Sequence, residues 1–453
     1  MKNFKKTLFL FRRDLRLDDN TALLAACKES DSVLPCFIFD TKILKNFKKS
    51  RFRLRFLIES LIDLDAQLKK KRTQLHIFEG TYPQIIQKLL KENDIDAVFV
   101  NSDYTKSSKK RDSIVNGICK KTNVKFNSLA DLTIQNFEHI RTAQGTPYKV
   151  FTQFFRKANL LQVRKPQKFT HKNFISKKSE LSLEEISQKH PKTDSPIKGG
   201  TYEGRKILKN MSKFKNYGKD RNYPYLDATT HLSAHNKFGT ISIREIYHKI
   251  ADELGKDHTL ISELFWRDFF ISIMYYYPYT FGSSFRKKYS KIPWSTNKKS
   301  FEKWANGMTG FPIVDAGMRE LNATGYMHNR VRMIVASFLT KDLHINWKWG
   351  ERYFAEKLID YDPSVNVGNW QWAASTGCDS QPWFRIFNPW MQQKKFDPDC
   401  KYIKKWIPEL EDISEKDIHN WDKSEIKNSY PLPMLDHREE SEHTKQVFKK
   451  LSN

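Results

Sequence analysis

The chain has 453 residues, with 79 Lys and Arg against 52 Asp and Glu, a formal charge of +27. That length suits two or three domains and a large core, and 39% hydrophobic with 29% charged residues excludes a chain disordered throughout. The longest apolar run near the start, Leu8 to Phe11, is far too short for a signal-peptide core or a membrane span. Five cysteines (Cys27, Cys36, Cys119, Cys378, Cys400) form no CxxC and, being odd in number, cannot all pair. This points to a reduced, cytoplasmic protein without a cysteine-based metal site. The excess of positive charge favours a polyanionic partner such as nucleic acid.

Residues 6 to about 127 alternate between short β-rich runs and helical patterns. Strands are predicted at Lys6–Phe11, Ser32–Phe39, Gln74–Phe78, Asp96–Asn101 and Asn123–Asn127, with helices near 20–29, 50–71, 82–92 and 106–121. Runs such as VLPCFIF and DAVFV are apolar throughout, as in strands covered on both faces. The alternation predicts a doubly wound parallel α/β sheet, Rossmann-like but without GxGxxG after its first strand. Between Arg164 and Lys198 nine Lys/Arg and four Asp/Glu replace large apolar residues, which reads as a surface connection. Beyond about residue 200 helical periodicity takes over, in Ile243–Leu254, Ile261–Tyr276, Ile313–Leu321, His328–Lys341 and Trp349–Ile359. All eleven tryptophans lie at or after Trp266. We expect an α/β domain over 1–130, a connecting segment over 131–200 and an all-α domain over 201–453.

Four blocks of the second half carry chemistry. LIDYDPSVNVGNWQWAASTG (358–377) places two carboxylates, two asparagines and two tryptophans within the thirteen positions Asp360 to Trp372. Such a set suits a planar, hydrogen-bonding ligand, and Asn366 and Trp370 share a face if the stretch is helical. SELFWRDFF (262–270) puts Glu263, Trp266, Arg267 and Phe270 on one helical face, although Glu263 and Arg267 could also form a plain intrahelical pair. TGYMHNRVRMIVASFL (324–339) sets Asn329, Arg330, Arg332 and Met333 in an otherwise apolar helix. NYGKDRNYPYLDATTHLS (216–233) offers Thr229, Thr230 and Ser233 at a helix entrance, where phosphate or an ordinary cap would both fit.

These blocks, with LFLFRRDLRLDDNTAL (8–23), FRIFNPWMQQKKFDPD (384–399) and YPLPMLDH (430–437), resemble the photolyase/cryptochrome family in order along nearly the whole chain. Within the family the likeness is to bacterial class I cyclobutane pyrimidine dimer photolyases. The resemblance implies an antenna-type α/β domain and a helical domain that binds FAD non-covalently. It also implies a light-driven electron transfer from the reduced flavin anion to a pyrimidine dimer flipped out of UV-damaged DNA. By the same resemblance Tyr217, Thr229, Thr230, Leu232 and Ser233 hold the phosphates and ribose. Arg332, Asp360 and Asp362 meet the ring and ribitol, and Asn366 sits by flavin N5. Glu263, Trp266, Asn329, Met333 and Trp372 line the dimer cavity, with Arg221, Arg267, Arg330 and Arg385 on flanking phosphates. Trp370, Trp347 and Trp294 form an electron relay from inside to surface.

The family's folate contacts, a glutamate after the fourth strand and a Cys-Lys pair before the outer tryptophan, are replaced here by Ser107–Ser108 and Thr280–Phe281. Folate is therefore disfavoured as second chromophore, and a deazaflavin, another flavin or an empty site stay open. A (6-4) photolyase would be expected to carry histidines where this chain has Asn329 and Met333. The alternative from another class is a cryptochrome photoreceptor, disfavoured by Asn366 and by the short stretch after the shared core. The expected state is a monomer with no obligate protein partner, no metal and no membrane attachment.

Overall fold

The computed structural model describes residues 2–47, 50–176, 179–190, 192–193, 195–380, 382–426 and 429–452. The chain divides into two compact units, one of Met1–Tyr148, Thr152–Lys213 and Thr230–Tyr275, the other of Lys149–Phe151, Phe214–Thr229 and Tyr276–Asn453.

The first unit is built on strands β1 (Phe4–Phe11), β2 (Ser30–Asp40), β3 (His76–Gly80), β4 (Ala97–Asn101) and β5 (Lys125–Leu129). All pairs are parallel, in the order β3-β2-β1-β4-β5. Because β1 pairs with β2 on one side and β4 on the other, the chain reverses its direction of strand addition there, as a doubly wound sheet requires. The crossovers are helices α1 (Thr21–Glu29), α2 (Arg51–Lys69), α3 (Tyr82–Asn93) and α4 (Lys106–Lys121). One sheet face packs Leu8, Leu10, Leu34, Val98 and Val100 against Ile86, Leu89, Val115 and Ile118 of α3 and α4. The third and fifth strands begin two residues later than predicted. Leu75 N–H is tied back to the Asp65 carboxylate of α2 at 2.8 Å, so pairing starts at His76. Asn123 turns left-handed (φ 57°) to close α4, and Val124 N–H bonds Cys119 O at 2.8 Å.

The loop leaving β1 is anchored by buried charges. Arg16 and Arg244 both grip Asp131 at 2.7 Å, Arg244 reaches Asp19 at 2.8 Å, and Arg164 also pairs with Asp19. The arginines hold the Asp131 carboxyl far below the usual carboxylate range. Gly239 is required here: its φ is +61°, and a Cβ would stand 2.4 Å from Arg13 O. Later helices of this unit include α5 (Ser233–Phe238), α6 (Ile243–Leu254) and α7 (Thr259–Tyr276).

The second unit is helical, with α8 (Pro312–Thr324), α9 (Asn329–Ser337), α10 (Trp347–Lys357), α11 (Pro363–Ala373) and the late helix α12 (His437–Ser452). The predicted helix to Lys341 is α-helical only to Ser337 and then widens into a π turn, Phe338–Asp342. Thr340 Oγ1 donates to Ala336 O at 2.8 Å, and Leu343 N–H reaches five residues back to Phe338 O. In place of Trp349–Ile359, α10 starts two residues earlier because Asn346 caps Lys348 N–H at 3.0 Å. Among the described residues no helix is long and apolar enough to cross a membrane.

The π turn buries Lys341, which is 1% exposed, donates to Ser375 Oγ at 3.0 Å and lies 3.9 Å over the Phe448 ring of α12. Burial pushes its ammonium down to about 7 despite the neighbouring Asp342. A lysine lowered in the fold penalises stability fully below its folded pKa, and the penalty fades as pH rises toward its unfolded value. Lys341→Met is expected to raise unfolding free energy by about 1 kcal/mol or more at pH 6. The gain should shrink at pH 9.5, as read from denaturant midpoints at the two pH values.

Candidate active site

In the second unit the turn between α8 and α9 and the loop into α11 form one hydrogen-bonded frame. Gly325 (φ +72°) ends α8, and its carbonyl accepts Ile359 N–H at 2.8 Å. Arg332 donates Nε–H to Met327 O at 2.7 Å and both terminal nitrogens to Asp360, at 3.2 and 3.0 Å. Burial would lower this guanidinium's pKa, but Asp360 outweighs it and the group stays charged. Arg332 also lies 5.3 Å from the Tyr326 ring, whose hydroxyl is 3.2 Å from Thr229 Oγ1. Asp362 caps α11, accepting Ser364 N–H at 3.0 Å and Val365 N–H at 3.4 Å, with Pro363 in the first turn.

The predicted face of α11 is realised. Asn366 donates Nδ2–H to Glu351 O at 3.1 Å and to Glu351 Oε1 at 3.0 Å. With both hydrogens spent, the amide's remaining polar end is the acceptor Oδ1. Glu351, in α10, was not singled out from the sequence; burial raises its carboxyl above the ordinary range, against the bonds from Asn366 and Tyr361. Its only sequence signal is a carboxylate one turn after Trp347. Trp370 is 2% exposed and lies between Phe354 (5.0 Å) and Trp304 (6.2 Å). Its ring also covers Gly350 of α10, where a Cβ would stand 2.1 Å from it. Gly350 follows Trp347 by one turn, and Ser295, next to Trp294, bridges to Ile345 two residues before Trp347. Of the three tryptophans, Trp370 and Trp347 are buried and Trp294 is partly exposed.

On α9, Asn329 is exposed and Arg330, Arg332 and Met333 are partly so, while Val331, Ile334 and Val335 are buried. Arg330 donates to Asn222 Oδ1, lies 4.3 Å over the Phe396 ring and keeps a buried Nε without a hydrogen-bond partner among the described residues. Burial and the repulsion of Arg221 lower its pKa. Arg221 lies 5.6 Å from the ring of Tyr217, itself buried. Trp372 is partly exposed and Arg385 exposed.

In the first unit, α7 bears further residues singled out from the sequence. Along α7 the residues from 259 to 267 left partly exposed are Thr259, Ser262, Glu263, Trp266 and Arg267, one helical stripe ahead of the buried stretch Asp268–Met274. Trp266 is wedged against Phe269 (5.7 Å, edge) and Phe270 (5.6 Å, stacked). Arg267 bonds Leu132 O and Asp268, each at 2.9 Å, and its side chain is 11% exposed. Burial pushes the Asp268 carboxyl up to about 6. Thr230 is partly exposed, Leu232 buried and Ser233 exposed at the start of α5, a helix of six residues.

Residues 7–170 match the DNA photolyase family and residues 260–450 the FAD binding domain of DNA photolyase. The chain belongs to the DNA photolyase family. A deoxyribodipyrimidine photo-lyase of Alkalihalophilus pseudofirmus is 36% identical over 97% of both chains. The solved photolyase of Sulfolobus tokodaii, described with two FAD molecules, is 39% identical over 98% of this chain and all of its own, with a TM-score of 0.88. A Synechocystis cryptochrome structure is 27% identical over 99% of this chain and all of its own, with a TM-score of 0.89. Repair is therefore better supported than the cryptochrome alternative. The donor set of the second unit suits FAD: a fixed amide acceptor at Asn366, a charge-compensated arginine at Arg332 and the Thr229 hydroxyl beside Tyr326. Asp360→Ala strips the partly buried Arg332 of its counter-ion. It is expected to cost about 3 kcal/mol, the lower end for a broken buried pair because Arg332 keeps some exposure, and to reduce flavin content on purification.

Proposed function

We propose that this chain is a deoxyribodipyrimidine photo-lyase that uses non-covalent FAD and light to split cyclobutane pyrimidine dimers in DNA. When bound, reduced FAD supplies the light-driven electron that opens the dimer and accepts it back. The observation that carries the residue assignment is the amide of Asn366. Its hydrogens are committed to Glu351, so it offers flavin N5 an acceptor and no acidic proton. By the family resemblance, Arg332, Asp360, Asp362, Tyr217, Thr229, Thr230, Leu232 and Ser233 would hold the rest of the cofactor.

The flipped dimer would meet Glu263 at its pyrimidine edge, Trp266 and Trp372 as apolar walls, and Asn329 and Met333 from α9. Arg221, Arg330 and Arg385 would contact the flanking phosphates. Arg267 is committed within its own unit to Leu132 and Asp268, which favours a brace for α7 over an open phosphate contact. Trp370, Trp347 and Trp294 would pass electrons inward during photoreduction. For the second chromophore we favour a flavin, on the likeness to the two-FAD structure. The division into 1–130 antenna, 131–200 connection and 201–453 catalytic parts remains our functional reading. A cytoplasmic monomer is the state we propose, the five buried thiols supporting the reducing compartment.

Illuminating the reduced holoenzyme with thymine-dimer oligonucleotide should restore thymine absorbance; no recovery with flavin bound would overturn the assignment. Glu263→Ala should lower repair yield several-fold while changing dimer affinity less. Arg330→Ala should weaken binding and flatten its log–log salt slope by about 0.9, as loss of one phosphate contact requires. Trp294→Phe should slow photoreduction, measured as growth of reduced-flavin absorbance under blue light with a thiol donor.

A further inference from the structure

Arg330 and Asn329 open α9, so their aim depends on what fixes the first turn of that helix. His328 is the cap: its Nδ1 accepts Arg330 N–H at 3.2 Å, and the residue is 4% exposed. His328 is held in turn by Glu320 of α8, whose Oε2 accepts His328 N–H at 3.1 Å. The same oxygen accepts the Tyr402 hydroxyl at 2.6 Å. Tyr402 is 2% exposed, and its own backbone N–H is fixed at 3.0 Å by Asp397. Asp397 follows Phe396, the ring under the Arg330 guanidinium. The contacts therefore close a ring: Phe396 and Asp397 to Tyr402, Tyr402 to Glu320, Glu320 to His328, and His328 to Arg330. Burial raises the Glu320 carboxyl, opposed by Tyr402, the His328 amide, Arg332 and Lys405. A carboxylate at a helix N-terminus also complements the exposed amides of the first turn.

We propose that Glu320 is a positioning residue for lesion recognition, fixing the first turn of α9 so that Arg330 presents its side chain to damaged DNA. This rests on the repair reading above, since it takes α9 as a DNA-contacting helix. Glu320 touches no substrate itself; it acts through His328. An amide can accept the same two hydrogen bonds, whereas alanine can accept neither.

The test is the dark affinity of flavin-loaded protein for a thymine-dimer duplex and for the same duplex undamaged, over a salt series. Glu320→Ala should bind the dimer duplex about tenfold more weakly, with the salt slope reduced by about 0.9, as for Arg330→Ala. Glu320→Gln should stay within about twofold of wild type. Glu320→Ala/Arg330→Ala should be no weaker than Arg330→Ala alone, because both remove one contact; independent effects would multiply. Unchanged affinity in Glu320→Ala, multiplying effects, or failure of Gln to rescue would each overturn the proposal. If Glu320→Ala does not retain flavin, Tyr402→Phe decides. It should cost about threefold in affinity, a loss absent when Arg330→Ala is already present, and equal losses in both backgrounds would refute the role. Wild type without preference for the dimer duplex would overturn the repair reading and this inference with it. Preference in wild type with no effect of Glu320 overturns the inference alone.

Discussion

The first unit depends on a knot of buried charge around Asp131. Asp19, Asp131, Arg16 and Arg244 are each 4% exposed or less, a costly arrangement unless every charge is paired and every remaining donor bonded. Here they are. Asp131 also accepts the Thr21 hydroxyl at 2.7 Å, and Arg244 reaches the carbonyls of Asp131, Thr133 and Asp19. The segment just after Asp131 then accepts from Arg267 through Leu132 O and donates from Ile134 N–H to Asp268 at 2.8 Å. The knot therefore joins the loop at the end of β1 to the helix bearing Glu263 and Trp266. Their placement follows from electrostatics some distance away, and a single truncation in the knot would leave an uncompensated buried charge.

The second unit solves a similar problem by different means. Its polar groups sit at helix ends and turns, where backbone amides and carbonyls are already available. Asp362 caps α11, His328 caps α9, and Arg332 is shared between Met327 O and Asp360. Asn366, like Glu320 in α8, lies within a helix, an amide satisfied across to Glu351. That placement is chemically informative: a mid-helix amide with both hydrogens committed has one orientation and one remaining role, that of acceptor. The aromatic packing behind it, with Gly350 making room for Trp370, leaves little freedom for the ring to shift.

Much of this was legible along the chain. The parallel sheet followed from apolar runs separated by helical periods, and its strands fell within two residues of expectation at their starts. The misses lie where a helix end competes with a strand start, as at Asn123, or where a threonine bonds back into its helix, as at Thr340. Asn366 with Trp370, and Glu263 with Trp266, were recoverable because a helix places residues three and four apart on one face. Glu351, Glu320 and Tyr402 were not, because each acts through a partner distant in sequence. Glu320 and Tyr402 are 82 residues apart, and Arg244 reaches Asp19 across 225. No periodicity encodes such pairs.

The amino-acid sequence alone determined the fold class, the family resemblance and the residue types on each functional helix. These follow from local periodicity and from motifs that carry their chemistry within a few positions. Tertiary structure decided which of those groups is available. It showed Arg267 committed to Leu132 and Asp268, the Asn366 amide turned into an acceptor, and a buried nitrogen of Arg330 unpaired among the described residues. The physical reason is that hydrogen-bond capacity is finite. What a side chain can offer a ligand is what its neighbours have left unused, and those neighbours are chosen by packing, not by order along the chain.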